Sequence, residues 1–395
     1  MAGAYFSNLT VFDGRAVKQR AGVLVSDGAI AWVGAHARAP RDAKTAREVE
    51  GRGRTLTPGF IDSHVHMNFD GDADMVAEAR ALTPARAAAK TIRNGFRHLA
   101  KGVTTVRDLG GMDFTVCDVA RAVKDGIVDG PEILACGRAL TITGGHGAGM
   151  FAQEVDGPDA VRAGVREQIR GGARAIKIIA TGGVLTPGVP VDFQAFTPEE
   201  IEAAVDEAHK WGRPIGAHAI GAPGIEEAVR AGVDSIEHGS QITAAGARLM
   251  KERGTFHVPT ISAIRGILDN ADAVPAYAVE KANMIAEQAR ESFRRATRSG
   301  VRHACGTDAG TPFNHHGNGT LEVVRMVEWG LTPLKALQAA TSNAAELLRL
   351  ADIGTIEEGK AADLVLWERN PLDDIQAVLK PSLVMKRGKG VSAPR

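Results

Sequence analysis

Residues 58–67 read PGFIDSHVHM, and the chain changes its pattern on either side of them. Before this stretch, residues 4–34 (AYFSNLTVFDGRAVKQRAGVLVSDGAIAWVG) alternate short β-prone runs with Asp-Gly turns, as hairpins do. After it, short β-branched runs alternate with amphipathic helical ones, the pattern of βα units on a parallel sheet. The β-prone runs are GFIDSHVHM at 59, GVTTVRDLG at 102, EILACGRALTI at 132, AIKIIATGG at 175, PIGAHAIG at 214, DSIEHGS at 234, FHVPTIS at 256 and VRHACGTDAG at 301, eight in all. Helical runs lie between them, several opened by a Thr-Pro that supplies an N-cap and a first helical residue: TPARAAAKTIRNGFRHLAK, TPEEIEAAVDEAHKWG and TPLKALQAATSNAAELLRL. From residue 354 the hairpin pattern returns.

Eight alternations predict an α/β protein built as a (β/α)₈ TIM barrel over residues 58–353. A small β-sandwich assembled from both termini, residues 1–57 and 354–395, would flank it. The rival open, doubly wound sheet lacks its G-x-G-x-x-G marker between a first strand and helix.

Composition narrows the function classes. Lys plus Arg equals Asp plus Glu at 47 each, so no basic surplus exists to neutralise a phosphate backbone, and nucleic acid is not an expected partner. No run of roughly 18 uncharged apolar residues is present, and the N-terminus lacks the basic and apolar regions of a signal peptide, so no membrane association is expected. The three cysteines, Cys117, Cys136 and Cys305, form no Cys-x-x-Cys, which fits a reducing, cytoplasmic location. The expected partner is a small-molecule substrate, with the chain itself as a homo-oligomer.

Active residues of such a barrel sit at the C-terminal ends of its strands. There the first strand carries His64 and His66, which at spacing i, i+2 face the same side. Taken alone, the pair reads equally well as two satisfied strand histidines. The fourth strand carries Lys177, the fifth ends in His218, the sixth in His238 and the eighth in Asp308. Four imidazoles and a carboxylate are the ligand set of zinc and its first-row neighbours. An ammonium in an apolar strand is expensive to bury and would repel a metal, unless Lys177 turns outward between helices. Carboxylated by CO₂, Lys177 would become an anionic carbamate able to bridge two metals. Two divalent ions roughly 3.5 to 4 Å apart would hold a bridging hydroxide as nucleophile while one polarises the scissile carbonyl. Asp308 would bind one metal, take the proton of that hydroxide and hand it to the leaving nitrogen.

The ordered set resembles the amidohydrolase superfamily over essentially the whole chain: PGFIDSHVH, the strand-borne Lys177, His218, His238, GTDAG and the tail GTIEEGKAADLVLW. TTVRDLGG, TGGHG, IEHG and AATSNAAELL are similar to its prolidase-like branch of carboxypeptidase-type dipeptidases and N-acyl amino acid hydrolases. The resemblance implies that His64, His66 and Asp308 bind the more buried metal, His218 and His238 the other, and that Lys177 bridges both. It also implies that His146, on the Gly-rich loop after the third strand, binds a substrate carboxylate or polarises its carbonyl. Many members of this branch carry a substrate-binding Tyr two residues before the fifth-strand histidine, where this chain has Gly216.

Arg107 and Asp108 read as a pair with each other, or as groups orienting the ligands. His316 and Asn318, with His315, follow Asp308 closely enough to reach substrate from the last loop. His257 and His303 sit at strand starts, the stability end of a barrel, and His36, His98 and His209 read as ordinary. The expected activity is binuclear, metal-dependent hydrolysis of the amide bond of a dipeptide or N-acyl amino acid. Alternatives are hydrolysis of a carbamate, ester or lactone at the same centre, and a mononuclear deaminase or imidazolone-ring hydrolase, against which a bridging Lys177 argues. A metal-free scaffold predicts missing ligands, and none is missing.

Overall fold

The computed structural model describes residues 3–391. One eight-stranded sheet joins the two ends of the chain. Ala4–Phe12, Val17–Ser26 and Ala29–Ala35 form the expected antiparallel hairpins. Thr55–Pro58 runs parallel to Ala4–Phe12 and antiparallel to Leu364–Trp367, so the last part of the chain pairs directly with the run that leads into PGFIDSHVHM. Phe6, Leu9, Val23, Ile30, Leu56, Leu364 and Leu366 bury their side chains on this sheet. Trp367 ties it to the first strand of the middle region: its ring lies 5.4 Å from that of Phe60 and its indole N–H donates to Thr57 Oγ1.

The middle region is α/β with parallel sheets. Phe60–Val65, Val103–Asp108 and Glu132–Ala135 form one; Ala139–Thr141, Ile176–Ile179, Ile215–Ala219, Ser235–His238 and Phe256–Val258 follow one another in a second, with Ala152–Glu154 at its edge. All but Ala152–Glu154, which no β-prone run anticipated, sit in a stretch read as β from the sequence. The run at 132 is one exception in detail: it breaks into two strands at Cys136–Arg138, where Gly137 takes φ 73°. The run at 301 is the other, because it forms no regular strand. Its groups make isolated parallel bridges, His257 to His303 and Val65 to Ala309, and Cys305 N–H donates to Ala339 O instead of to a neighbouring strand. Asp308 then turns the chain with φ 61°, which ends the pleat.

The Thr-Pro signals open helices as expected. Thr83 caps Pro84–Ala100, Thr197 and Glu200 form a reciprocal capping box on Pro198–Lys210, and Thr332 caps Pro333–Ala339. Among the described residues no helix is long and apolar enough to cross a membrane.

Candidate active site

The C-terminal ends of the parallel strands surround a cavity of about 660 Å³, counting its open mouth. His64, His66, Lys177, His218, His238 and Asp308 all line it, and so does His146. The strand periodicity explains this for His64 and His66, and the parallel register brings His218 level with Ile179 just above Lys177. His238 and Asp308 reach the cavity through backbone turned to φ 70° and φ 61°, a conformation that residues with a Cβ seldom adopt.

Each strand-end histidine has one ring nitrogen committed to the protein. His64 Nδ1 donates to Glu237 Oε2 (2.9 Å), His66 Nδ1 to Gly110 O (2.7 Å) and His218 Nε2 to Gly182 O (2.7 Å). His238 Nδ1 is bonded to Thr260 Oγ1 (2.7 Å). In their neutral forms, His64 and His66 would hold lone pairs at the opposite nitrogens. Both are aimed at Asp308 Oδ1, 3.3 Å from His64 Nε2 and 3.1 Å from His66 Nε2. Asp308 Oδ1 is buried and has no hydrogen-bond donor. Three buried acceptors thus lie within 4.8 Å of one another, an arrangement that repels itself unless a cation sits among them. Burial, reinforced by Lys177, holds His64, His218 and His238 well below the ordinary imidazole pKa, which keeps them neutral and able to ligate.

Lys177 does not turn outward. It is 2% exposed, with Nζ 3.4 Å from His64 Nε2. Burial lowers its pKa against the pull of Glu237 and Asp308. Burial thus weighs against the charged form of the amine in the middle of the ligand cluster.

Sequence reasoning missed the floor of this site. Arg107 does not pair with Asp108, because neighbouring strand residues point to opposite faces. Its Nη2 instead donates to Glu237 Oε1 (2.7 Å), its Nη1 to Ser235 Oγ and its Nε to Ser63 O. Arg107 and Glu237 are both 0% exposed. Glu237 thus joins a buried cation to His64, and the only advance signal was one unexplained charge in each of two apolar strands. Asp108 accepts from Met67 N–H and Gly110 N–H, shaping the turn after His66, and burial pushes its carboxyl up to about 6. Gly216 faces this floor: a Cβ there would stand 2.7 Å from Glu237 Oε1 and 3.1 Å from Ser235 Oγ. The ion pair fills the space that a tyrosine at 216 would need.

Two other expectations change. His316 does not reach the cavity: its Nε2 donates to Phe69 O (2.8 Å) and its Nδ1 is bonded to His98 Nε2 (2.9 Å), so both ring nitrogens are occupied in the packing beside the first strand. Asn318 is the N-cap residue of the helix Gly319–Trp329 and does not line the cavity either. His315 is bonded to Asp70 O at the surface. His257 and His303 lie outside the cavity, bonded to His238 O and Thr297 Oγ1, and His36 and His209 bond to Tyr5 and Asp234. His146 is held by Thr186, whose Oγ1 is 2.8 Å from Nδ1. Apart from Ser240 and Thr311, the remaining cavity wall is apolar, with Phe151, Ile179, Leu185, Ile220, Ile264 and Ile285 among its residues.

Comparison with known proteins agrees with this geometry. Residues 55–391 match the model of the amidohydrolase family. Ochratoxinase of Aspergillus niger is 34% identical over 403 aligned positions, which cover 94% of this chain and 82% of the relative. A crystal structure of a Xaa-Pro dipeptidase with methionine bound in its active site superposes with a TM-score of 0.91 at 32% identity, covering 99% of this chain and 100% of that one. A prolidase complexed with N-methylphosphonate-L-proline gives 0.90 at 33% identity, covering 99% of each. The chain belongs to the amidohydrolase family, in its prolidase-like branch, and is a hydrolase of amide carbon–nitrogen bonds.

Proposed function

We propose that the chain is a binuclear metal-dependent amidohydrolase that cleaves the amide bond of a dipeptide or N-acyl amino acid. The observation that carries this reading is the self-repelling cluster of His64 Nε2, His66 Nε2 and Asp308 Oδ1, set beside a buried Lys177. The lone pairs of His64, His66 and Asp308 would hold one divalent ion, with His218 and His238 holding a second. Zinc suits the donors. The Lys177 amine would add to the carbon of CO₂, forming an N–C bond as one C=O π bond opens and releasing a proton to solvent, and the resulting carbamate would supply anionic oxygen donors for the ions. Bound there, the ions would supply Lewis acidity and lower the pKa of water at the site.

The protein's own groups then have distinct tasks. Asp308 Oδ1 is free to accept a proton from the attacking water and return it to the leaving nitrogen. Gly147 N–H donates to Thr186 Oγ1, so the threonine hydroxyl proton is available to His146 Nδ1. With Nδ1 accepting that proton, the imidazole would carry its own on Nε2 and would donate it to the substrate's carbonyl or carboxylate oxygen. The apolar wall receives an uncharged side chain or acyl group and excludes water from it. Besides Lys177, the cavity lining carries no Lys or Arg among the described residues. This favours, as a second reading, an ester, carbamate or lactone, whose carbonyl needs no partner for a carboxylate.

The architecture belongs to the same proposal. The two parallel sheets would close as one (β/α)₈ barrel over residues 58–353, supported on one side by Arg174 N–H donating to Ala135 O. On the other side the support comes from Ser63 N–H donating to Cys305 O and Asp308 N–H to His64 O. Residues 1–57 and 354–395 would form the flanking β domain. Three buried, unpaired cysteines support a reducing, cytoplasmic setting, with the chain as a homo-oligomer.

Metal analysis after saturation with zinc and bicarbonate should give about two ions per chain. Fewer than about 1.5 would rule out the binuclear centre. Lys177→Ala should lose metal and turnover together, and unchanged turnover would show that Lys177 does not bridge. Hydrolysis across a panel of dipeptides and N-acyl amino acids, with esters and carbamates as the second arm, would identify the substrate class.

A further inference from the structure

One half-buried cation lies outside the ligand cluster. Lys281, on the long helix Ala276–Ser299, has no carboxylate partner within ion-pair distance among the described residues. Its Nζ donates to three backbone carbonyls, Val189 O (2.6 Å), Thr186 O (2.7 Å) and Gly183 O (3.2 Å). All three belong to the excursion that leaves the strand Ile176–Ile179 and returns through the Thr181 to Gln194 bridge. One helical turn before Lys281, on the same face, Tyr277 donates its hydroxyl to Leu185 O (3.2 Å). The helix thus holds the start, middle and end of one loop.

That loop touches the cavity in several places. Val184 and Leu185 form part of its wall. Gly182 O accepts from His218 Nε2, and Thr186 Oγ1 is bonded to His146 Nδ1. Gly183 lies so close under His146 that a Cβ would stand 2.5 Å from the imidazole. Loop carbonyls turned to one point ordinarily face water or a cation, and here one ammonium satisfies all three. Without it, three dipoles with their negative ends converging would push the loop apart.

We propose that Lys281 is a positioning residue: its ammonium fixes residues 182–193 in the form that orients His146 and completes the apolar wall. The effect on catalysis rests on this cavity being the active site, whereas the effect on the loop does not.

The test uses Lys281→Met, which keeps the apolar stem and removes the donors, in the full metal-loaded protein. Hydrogen exchange read by mass spectrometry should accelerate in residues 182–193 and leave the strands bearing His64 and His218 unchanged. KM for a hydrolysed substrate should rise about tenfold, the order expected for losing charged hydrogen bonds from one loop conformation, while kcat falls less and metal content is retained. In Lys281→Ala, added methylammonium or ethylammonium should slow the loop's exchange again and lower KM. Tyr277→Phe should act in the same direction and more weakly. Unchanged loop exchange in Lys281→Met would overturn the proposal. So would acceleration spread over the whole chain, or loss of metal, since either marks a general structural role. If the loop loosens and responds to alkylammonium but no amide, ester or carbamate is ever hydrolysed, the latch stands and the proposed function fails.

Discussion

Replacing Glu237 with Gln should separate two roles that meet in one side chain. Its carboxylate accepts from His64 Nδ1, Arg107 Nη2 and Ser235 Oγ, and nothing around it is exposed to solvent. Gln keeps the volume but removes the charge that compensates Arg107. Leaving one member of a buried ion pair uncompensated destabilises by about 3–5 kcal/mol, which for a chain of this size lowers Tm on the order of 5 °C. Gln also presents an N–H₂ where Arg107 or His64 needs an acceptor, so the tautomer and orientation of His64 are no longer enforced. Lost support of that kind weakens metal binding roughly 10- to 100-fold.

Thermal unfolding of the metal-free protein reads the first effect, and zinc competition against a chelator reads the second. The double variant Arg107→Met, Glu237→Leu then distinguishes them. Removing both charges should recover most of the lost stability, because hydrophobic residues of similar size replace buried pairs at little or no cost. Zinc affinity should stay low, because Leu offers His64 no acceptor. A double variant that regains metal affinity, or a Glu237→Gln protein within 1 °C and threefold of wild type, would refute the assignment of Glu237 as the group that orients His64.

His316→Ala should lower stability by about 2–4 kcal/mol, through a cavity and an unpaired His98 nitrogen, while kcat/KM of the folded protein stays within about threefold. A much larger kinetic effect would restore His316 to the substrate site. Asp70 gives a pH signature. Burial would raise its carboxyl, but hydrogen bonds from Arg93, Lys90 and Asn94 outweigh this and hold it at about 2. A carboxyl depressed from 3.8 stabilises fully above its unfolded pKa and loses that contribution as pH falls towards 2. Asp70→Asn should therefore cost about 1–2 kcal/mol at neutral pH, with the difference from wild type narrowing below pH 4 in denaturant titrations. A constant difference would contradict the ion-pair origin.

The parts of this site that sequence made legible are those governed by local rules. His64 and His66 face one way because strands alternate, and Thr83, Thr197 and Thr332 open helices because a hydroxyl followed by Pro satisfies a helix start wherever it occurs. The eighth β-prone run was readable as a segment but not as a shape. The positive φ at Asp308 follows a residue, Thr307, whose N–H and Oγ1 donate to Asp62, 245 residues away. The missed residues share that long-range character. Glu237 is adjacent to His238 in sequence, yet two of its partners come from the strands carrying residues 64 and 107, and Thr186 meets His146 only because two loops cross. Charge in an apolar strand was the usable clue: pairing Arg107 with the nearest acid ignored the alternation that had already placed the histidines, whereas its other reading, a group orienting the ligands, fits its bond to the Glu237 that holds His64. Applied throughout, that rule leaves Asp108 facing away from Arg107. A buried arginine must then find its carboxylate on another strand whose side chains point into the same interior; Asp62 is taken up by Thr307, and Glu237 is the acid that meets Arg107.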